Sequence, residues 1–274
     1  MGLEFLSLLD DNYINDSPLA RSFSWLPLGA EKPPKGGFSI SGVRKPVRTI
    51  VYIDGYNLYY GRLKHSPYKW LDIYRLFSEH IIRAQSPQAK VVKTKYFTAD
   101  IKARVASHGQ AAQKAQNDYH RALTTLYPDH IEIIKGFHSL DYAKLPRYKR
   151  PLDKSDRVDV WRLEEKQTDV SIALHAYRDV IRKECDQIVL VSNDTDLEPA
   201  LQMIRMDVGN NVEIGIVIPI SKPEPGKAHR PPNQRLSQYA NWTRRYILDS
   251  ELANSQLPNP IPTKKKPILR PDYW

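Results

Sequence analysis

The sequence predicts an α/β protein whose central sheet is mostly parallel and has about five strands. Three observations carry this. Short runs rich in β-branched residues recur along the chain, they are apolar at successive rather than alternate positions, and a helical pattern separates most of them from the next. Runs of that kind belong to strands covered on both faces, and strand–helix alternation implies right-handed crossovers between parallel neighbours.

Taken in order, residues 1–46 read as a leader, because Pro18, Pro27, Pro33, Pro34 and Gly36-Gly37 break any periodicity. Its Phe5, Leu6, Leu8, Leu9, Phe23, Trp25 and Leu26 suit a flexible segment or one that docks on the body, on a protein partner or on a second copy in a homo-oligomer. The regular domain is expected at 47–249. Its strands are expected at 49–53, 91–97, 131–134, 188–191 and 212–218, with helices at 72–83, 103–126, 164–183 and 196–206. Residues 143–157 form a basic insert, read as a loop. A last helix is expected at 233–248, after a loop punctuated by proline and glycine. Residues 250–274 form a basic, proline-containing tail with Lys264-Lys265-Lys266, expected to be flexible from 257 onward.

The hydrophobic fraction of 41% is enough for a substantial core. The formal net charge of +10 points to polyanionic partners, nucleic acid first among them. The single cysteine, Cys185, excludes an internal disulfide framework and any zinc site built on several thiolates, and it fits a reducing cytoplasm. No apolar stretch approaches the ~18 residues needed to cross a bilayer, so no membrane partner is expected. The eight histidines include no His-Glu-x-x-His pair, and no Gly-x-x-x-x-Gly-Lys-Ser/Thr loop occurs, which makes a zinc peptidase or a nucleoside triphosphatase a poor fit.

Carboxylates gather where an open α/β sheet places its ligands, beyond the C-terminal ends of strands. Asp54 ends the first strand, in Asp54-Gly55-Tyr56-Asn57. Asp194 and Asp196 follow the fourth, in Ser192-Asn193-Asp194-Thr195-Asp196-Leu197. Asp169 stands one turn into the helix that precedes that fourth strand. Carboxylates converging at one edge repel one another and stay ionised together only beside a cation; magnesium or manganese, hard ions that prefer oxygen, suit them. Each piece also has a structural reading. Asp-Gly is a common turn dipeptide, Thr195-x-x-Glu198 resembles a capping box, and Glu164, Glu165 and Lys166 fit a solvated helix face. Asp169 lies among Val170, Ile172, Ala173 and Leu174 and is the hardest to explain as surface.

Four ordered motifs carry a resemblance: Val51-Tyr52-Ile53-Asp54-Gly55-Tyr56-Asn57-Leu58-Tyr59-Tyr60-Gly61, then Tyr96-Phe97-Thr98-Ala99, then Glu164-Glu165-Lys166-Gln167-Thr168-Asp169-Val170, then Val191-Ser192-Asn193-Asp194-Thr195-Asp196-Leu197-Glu198-Pro199. Together, over about residues 48–248, they resemble bacterial NYN domain proteins of the PIN-like nuclease superfamily. The chain departs from the pattern at Gln167, where relatives often carry glycine. The resemblance implies a PIN-like three-layer fold and divalent-metal-dependent hydrolysis of RNA phosphodiester bonds, with cutting inside the chain the expected mode. It also implies that Asp54, Asp169 and Asp194 are metal ligands, with Asp196 a fourth carboxylate acting directly or through water. Asn57 and Ser192 become uncharged supports, and Lys166 a contact to phosphate or a restraint on the acids.

For the RNA path the sequence offers the basic insert, with Lys144, Arg147, Tyr148, Lys149 and Arg150, and a second track at Lys93, Lys95, Lys102 and Arg104. Cations pair with phosphates and a tyrosine can stack on an unpaired base. The alternative for the insert is a solvated loop. Tyr56, Tyr59, Tyr60, Tyr68 and Trp70 suit packing around the first helix, with room for one base-stacking ring. Two other functions stay open: a catalytically weak NYN-fold module that binds RNA and regulates, and a phosphohydrolase with Asp54 as covalent nucleophile. The haloacid-dehalogenase form of the latter needs a second aspartate where this chain has Tyr56.

Overall fold

The computed structural model describes residues 45–223 and 234–274. The leader expected at 1–46 therefore falls almost wholly outside the described residues. The first strand, β1 (Val47–Asp54), runs straight into α1 (Gly55–Leu58) and a π-helical turn, Tyr59–Leu63. One longer helix follows as α2 (Ile73–Arg75), a π-helical segment Leu76–Ile82 and α3 (Arg83–Gln85). Asp72 starts it by accepting a 2.9 Å hydrogen bond from the Arg75 amide. Then come β2 (Ala89–Ala99), α4 (Gly109–Leu126), β3 (Ile131–Pro146), β4 (Arg157–Lys166) and α5 (Thr168–Ile181). The chain continues through β5 (Gln187–Val191), a 3-10 turn Thr195–Leu197, α6 (Glu198–Val208), β6 (Glu213–Val217), α7 (Gln234–Ser237), β7 (Trp242–Arg244) and α8 (Asp249–Ala253).

The sheet has the order β4-β3-β2-β1-β5-β6-β7 and is parallel except where β3 meets β4. The five strands expected from sequence are β1, β2, β3, β5 and β6; the structure adds two and makes the sheet mixed. Alternation along β1 builds two cores. Val51 and Ile53 face Trp70, Phe77, Ile81, Tyr119 and Leu123 on one side, whereas Ile50 and Tyr52 face Ile172, Leu201 and Ile204 on the other. Helices thus cover both faces, giving three layers.

Four expectations fail for identifiable reasons. The helix expected at 164–183 is divided at Gln167, whose backbone is left-handed at φ 73°, so Glu164, Glu165 and Lys166 end a strand rather than begin a helix. That strand pairs with β3 from Phe137↔Lys166 to Pro146↔Arg157, making the basic insert the outer half of a two-stranded arm. The helix expected at 233–248 is short α7 followed by β7, where Trp242 covers Gly215 so closely that an added Cβ would lie 2.2 Å from the indole. The tail is not loose: Leu257, Ile261 and Ile268 are buried in the first core, and Trp274 meets Trp70 edge-on at 6.2 Å. Among the described residues no helix is long and apolar enough to cross a membrane.

Candidate active site: a carboxylate cleft at the sheet edge

Strands β1 and β5 are parallel neighbours, with Ile53 opposite Val191, so Asp54 and Ser192 leave the sheet side by side. Asp54 is buried, and its carboxylate is held from three directions. Oδ1 accepts from the Asn57 amide at 2.9 Å, and Oδ2 accepts from Asn57 Nδ2 at 2.6 Å and from Ser192 Oγ at 2.9 Å. The Asp194 amide donates to Ser192 Oγ at 3.1 Å, and Asp194 Oδ1 accepts from the Asp196 amide at 3.0 Å, starting the 3-10 turn. This chain of bonds ties the ends of two strands into one rigid polar corner. Gly55 has a separate role: a Cβ there would lie 2.6 Å from the Phe97 carbonyl oxygen and 2.9 Å from the Tyr96 ring, so the Asp-Gly pair marks a close approach of β2 rather than a surface turn.

Asp169 enters from the first turn of α5 and joins Asp54 and Asp194 around a cleft of about 430 Å³, whose wall also includes Tyr56, Asn57, Tyr60, His138, Leu163, Glu164, Glu165, Lys166 and Thr168. Five carboxylates face one ammonium there, and Lys166 spends its charge on Glu164. Burial pushes Asp54 up to about 6 against the pull of its hydrogen-bond donors. Asp169 also rises to about 6, through burial first and then the negative charges of Asp54, Asp194 and Asp196. Glu165 is raised by burial despite the Thr168 hydroxyl that donates to it. Asp196 is exposed beside this group and lies outside the cleft lining.

Five carboxylates whose one lysine is already paired with Glu164 suit a hard divalent cation. Asp54 Oδ1 keeps a lone pair unused by protein donors, and the Asp169 carboxylate has no hydrogen bond or ion pair among the described residues. Among those residues no three histidine, cysteine, aspartate or glutamate side chains form a ready-made ligand cluster. A cation would therefore need water and substrate oxygens to complete its coordination, as is common for magnesium.

The structure brings together Asp54, Asn57, Lys166, Asp169, Ser192 and Asp194 and disperses most of the cations expected to guide RNA, leaving Lys102 and Arg104 together in a cleft near the end of β2. Lys166 ends β4 instead of lying a helical turn before Asp169. Lys95 is buried and ion-paired with Asp179, so it is closed to phosphate. Lys93 donates to the Asp129 carbonyl at 2.8 Å, toward the opposite end of β2. Lys144, Arg147, Tyr148, Lys149 and Arg150 are exposed near the arm's tip, Lys144 seven register steps beyond Lys166 and the others past the ninth, about 30 Å away. There Arg147 pairs with Asp156, and Lys149 with Asp153 and Asp156. Sequence reasoning gave no site role to Glu165, His138 or Leu163, because only the β3–β4 register brings them to the cleft. Tyr56 and Tyr60, expected to pack around the first helix with room for one base-stacking ring, instead lie half exposed on the cleft wall, their rings 4.3 Å centre to centre.

The NYN domain family matches residues 48–229, which span the sheet from β1 to β6 and the whole carboxylate corner. The chain belongs to the NYN domain family. Its domain is therefore PIN-like and nuclease-type in fold. The chain is also 41% identical over 252 residues to a Pseudomonas putida protein named 6-hydroxy-3-succinoylpyridine 3-monooxygenase, with 84% of this chain and 76% of that one covered. A solved structure of a Vibrio parahaemolyticus protein of unknown function aligns at 16% identity with a TM-score of 0.43, over 75% of this chain and 96% of that one.

Proposed function

We propose that this NYN domain protein is a divalent-cation-dependent ribonuclease that hydrolyses phosphodiester bonds within RNA chains. The observation that carries the reading is the unpartnered Asp169 carboxylate, raised to about 6 by burial and by Asp54, Asp194 and Asp196, in an open cleft large enough for one nucleotide. Such repulsion is tolerated where a bound cation relieves it. When bound, magnesium or manganese would supply an activated water and stabilise negative charge on the phosphoryl oxygens. In this reading Asp54, Asp169 and Asp194 hold the ion, and Asp196 reaches it through water. Asn57 and Ser192 fix the Asp54 carboxylate, so its orientation does not have to be found anew in each turnover. Tyr56 and Tyr60, half exposed and tilted against each other, offer aromatic surface against which a base can stack. A reducing cytoplasm is the proposed setting, in keeping with the one buried, unbridged Cys185.

A second reading rests on the monooxygenase relative, at 41% identity over 84% of the chain. Here the same aromatic wall would hold a hydroxylated pyridine ring, and the reaction would need dioxygen and a two-electron donor. The test is a paired incubation of the purified chain. One arm supplies cellular RNA with manganese or EDTA and maps the cut ends. The other supplies 6-hydroxy-3-succinoylpyridine, a reductant and dioxygen, and follows oxygen uptake. Internal cuts that vanish in EDTA and in Asp194→Asn support the first reading. Oxygen uptake that depends on the pyridine, with RNA intact, replaces it by the second, and binding of RNA without either reaction leaves a regulatory module.

A further inference from the structure

The acidic cleft poses a problem for the substrate proposed for it, because five carboxylates repel any polyanion until a cation is bound and cations from elsewhere assist the approach. Most basic residues near the sheet edge are already engaged. Lys166 is paired with Glu164, Lys135 with Asp100, and Lys95 with Asp179. The arm's tip is too distant to neutralise a group at the reacting centre.

A second cleft of about 580 Å³ adjoins the first and shares its His138 wall. It opens where β2 ends, at the edge beyond which α/β sheets bind ligands. Its cations, Lys102 and Arg104, have no hydrogen bond or ion pair to a side chain among the described residues. Its one acid, Asp100, is neutralised by Lys135 at 2.7 Å. The loop that carries the cations is fixed at its root. Gln116 of α4 donates to the Ala99 carbonyl at 2.9 Å and accepts from the Ile101 amide at 2.8 Å, and the Val105 amide closes a turn on the Lys102 carbonyl at 3.0 Å. Opposite lie Phe137 and Leu140 from the arm's base, an apolar surface beside the two positive charges. His138 is held between the clefts by a 3.0 Å contact from Nδ1 to the Asp100 carbonyl.

We propose that this second cleft is an oxyanion subsite, in which Lys102 and Arg104 bind the phosphate or carboxylate of the molecule whose reacting atoms occupy the acidic cleft. The inference rests on the reading of the acidic cleft as the reacting site and adds the substrate class, a molecule bearing an oxyanion a short distance from the reacting group. A neighbouring phosphate of an RNA chain has this form, and so has a carboxylate carried on a pyridine. Arg104 can grip two oxygens with its forked guanidinium, and Lys102 adds a point charge.

The test measures binding without chemistry. The full chain is titrated calorimetrically in EDTA with inorganic phosphate, a five-nucleotide RNA and pyridine-3-carboxylate, and the titrations are repeated with K102A/R104A and with Asp169→Asn. Wild type should bind at least one probe with an affinity that falls as salt rises. The double variant should lose about tenfold or more, as expected for two charge-assisted contacts, while Asp169→Asn should bind as well as wild type or better. Preference for RNA identifies phosphate as the natural group, and preference for the pyridine acid identifies carboxylate. K102E/R104E should bind more weakly still, with a melting temperature that reports on folding. Unchanged affinity in folded K102A/R104A, or no binding of any probe by wild type, overturns the proposal. Because EDTA removes catalysis, a protein that binds here yet never cleaves RNA refutes the ribonuclease reading alone.

Discussion

Replacing Asp169 by asparagine should make the metal-free protein more stable while removing cation binding. The carboxylate has no hydrogen bond or ion pair to lose among the described residues, so the substitution removes the penalty of burying its charge and the repulsion from Asp54, Asp194 and Asp196, and little else. A carboxyl moved from its ordinary 3.8 to about 6 carries roughly 3 kcal/mol of unfavourable interaction in its charged form before solvent screening. The side chain is only half-buried, so about 1 kcal/mol is the working figure. The sign follows from linkage: the folded state binds this proton more tightly than the unfolded chain. The penalty is therefore absent below the unfolded value, grows as pH rises through the window from 3.8 to about 6, and is complete above it. Thermal melting in EDTA should place Asp169→Asn about 2–4 °C above wild type at pH 7.5, with the gap closing toward pH 4. With manganese at a hundred times its dissociation constant the order should reverse, since wild type alone gains about 2.7 kcal/mol from the bound ion. A variant that melts at or below wild type at pH 7.5 in EDTA would refute the electrostatic account of the cleft.

Ser192→Ala removes one of three donors to the buried Asp54 carboxylate and should cost about 1.5–3 kcal/mol in urea unfolding at pH 7.5; an unchanged midpoint would show that the bond contributes nothing. Truncation after residue 256 strips Leu257, Ile261 and Ile268 from the core and should destabilise the fold by roughly 5 kcal/mol, read by the same method, whereas a flexible tail would cost nothing. Charge reversal of Lys144, Arg147, Lys149 and Arg150 should weaken long RNA and leave a dinucleotide unaffected, because the arm's tip lies about 30 Å from the cleft; equal losses for both would bring the tip to the reacting centre.

The parts of the fold legible in sequence are those buried on both faces. Strands β1, β5 and β6 are apolar at successive positions, and their burial leaves no alternative to a sheet interior. β4 was hidden because its inner end, Glu164-Glu165-Lys166, fits a polar helix face as well as a strand, and only the left-handed Gln167 separates it from α5. β7 has three residues and depends on Trp242 meeting Gly215, a contact between positions distant in sequence. In the site, Asp54 and Asp194 were legible because both follow apolar strands that end at the same level, whereas Asn57 and Ser192 came from the family resemblance. Lys95 misled because a lysine in a strand reads as surface, whereas this one is buried against Asp179 beneath the Tyr52 hydroxyl that shares the same carboxylate. His138 and Glu165 face each other only through a cross-strand register that composition and spacing do not specify.

The central claim, that Asp54, Asp169 and Asp194 form a divalent-cation site, is tested most directly by calorimetric titration of manganese into the metal-free chain at pH 7.5. Wild type should bind with a stoichiometry of at least one ion per chain, more weakly at pH 5 as Asp54 and Asp169 take up protons, and Asp169→Asn should lose that binding. Equal manganese binding by wild type and a folded Asp169→Asn variant, or none by wild type, would contradict the account.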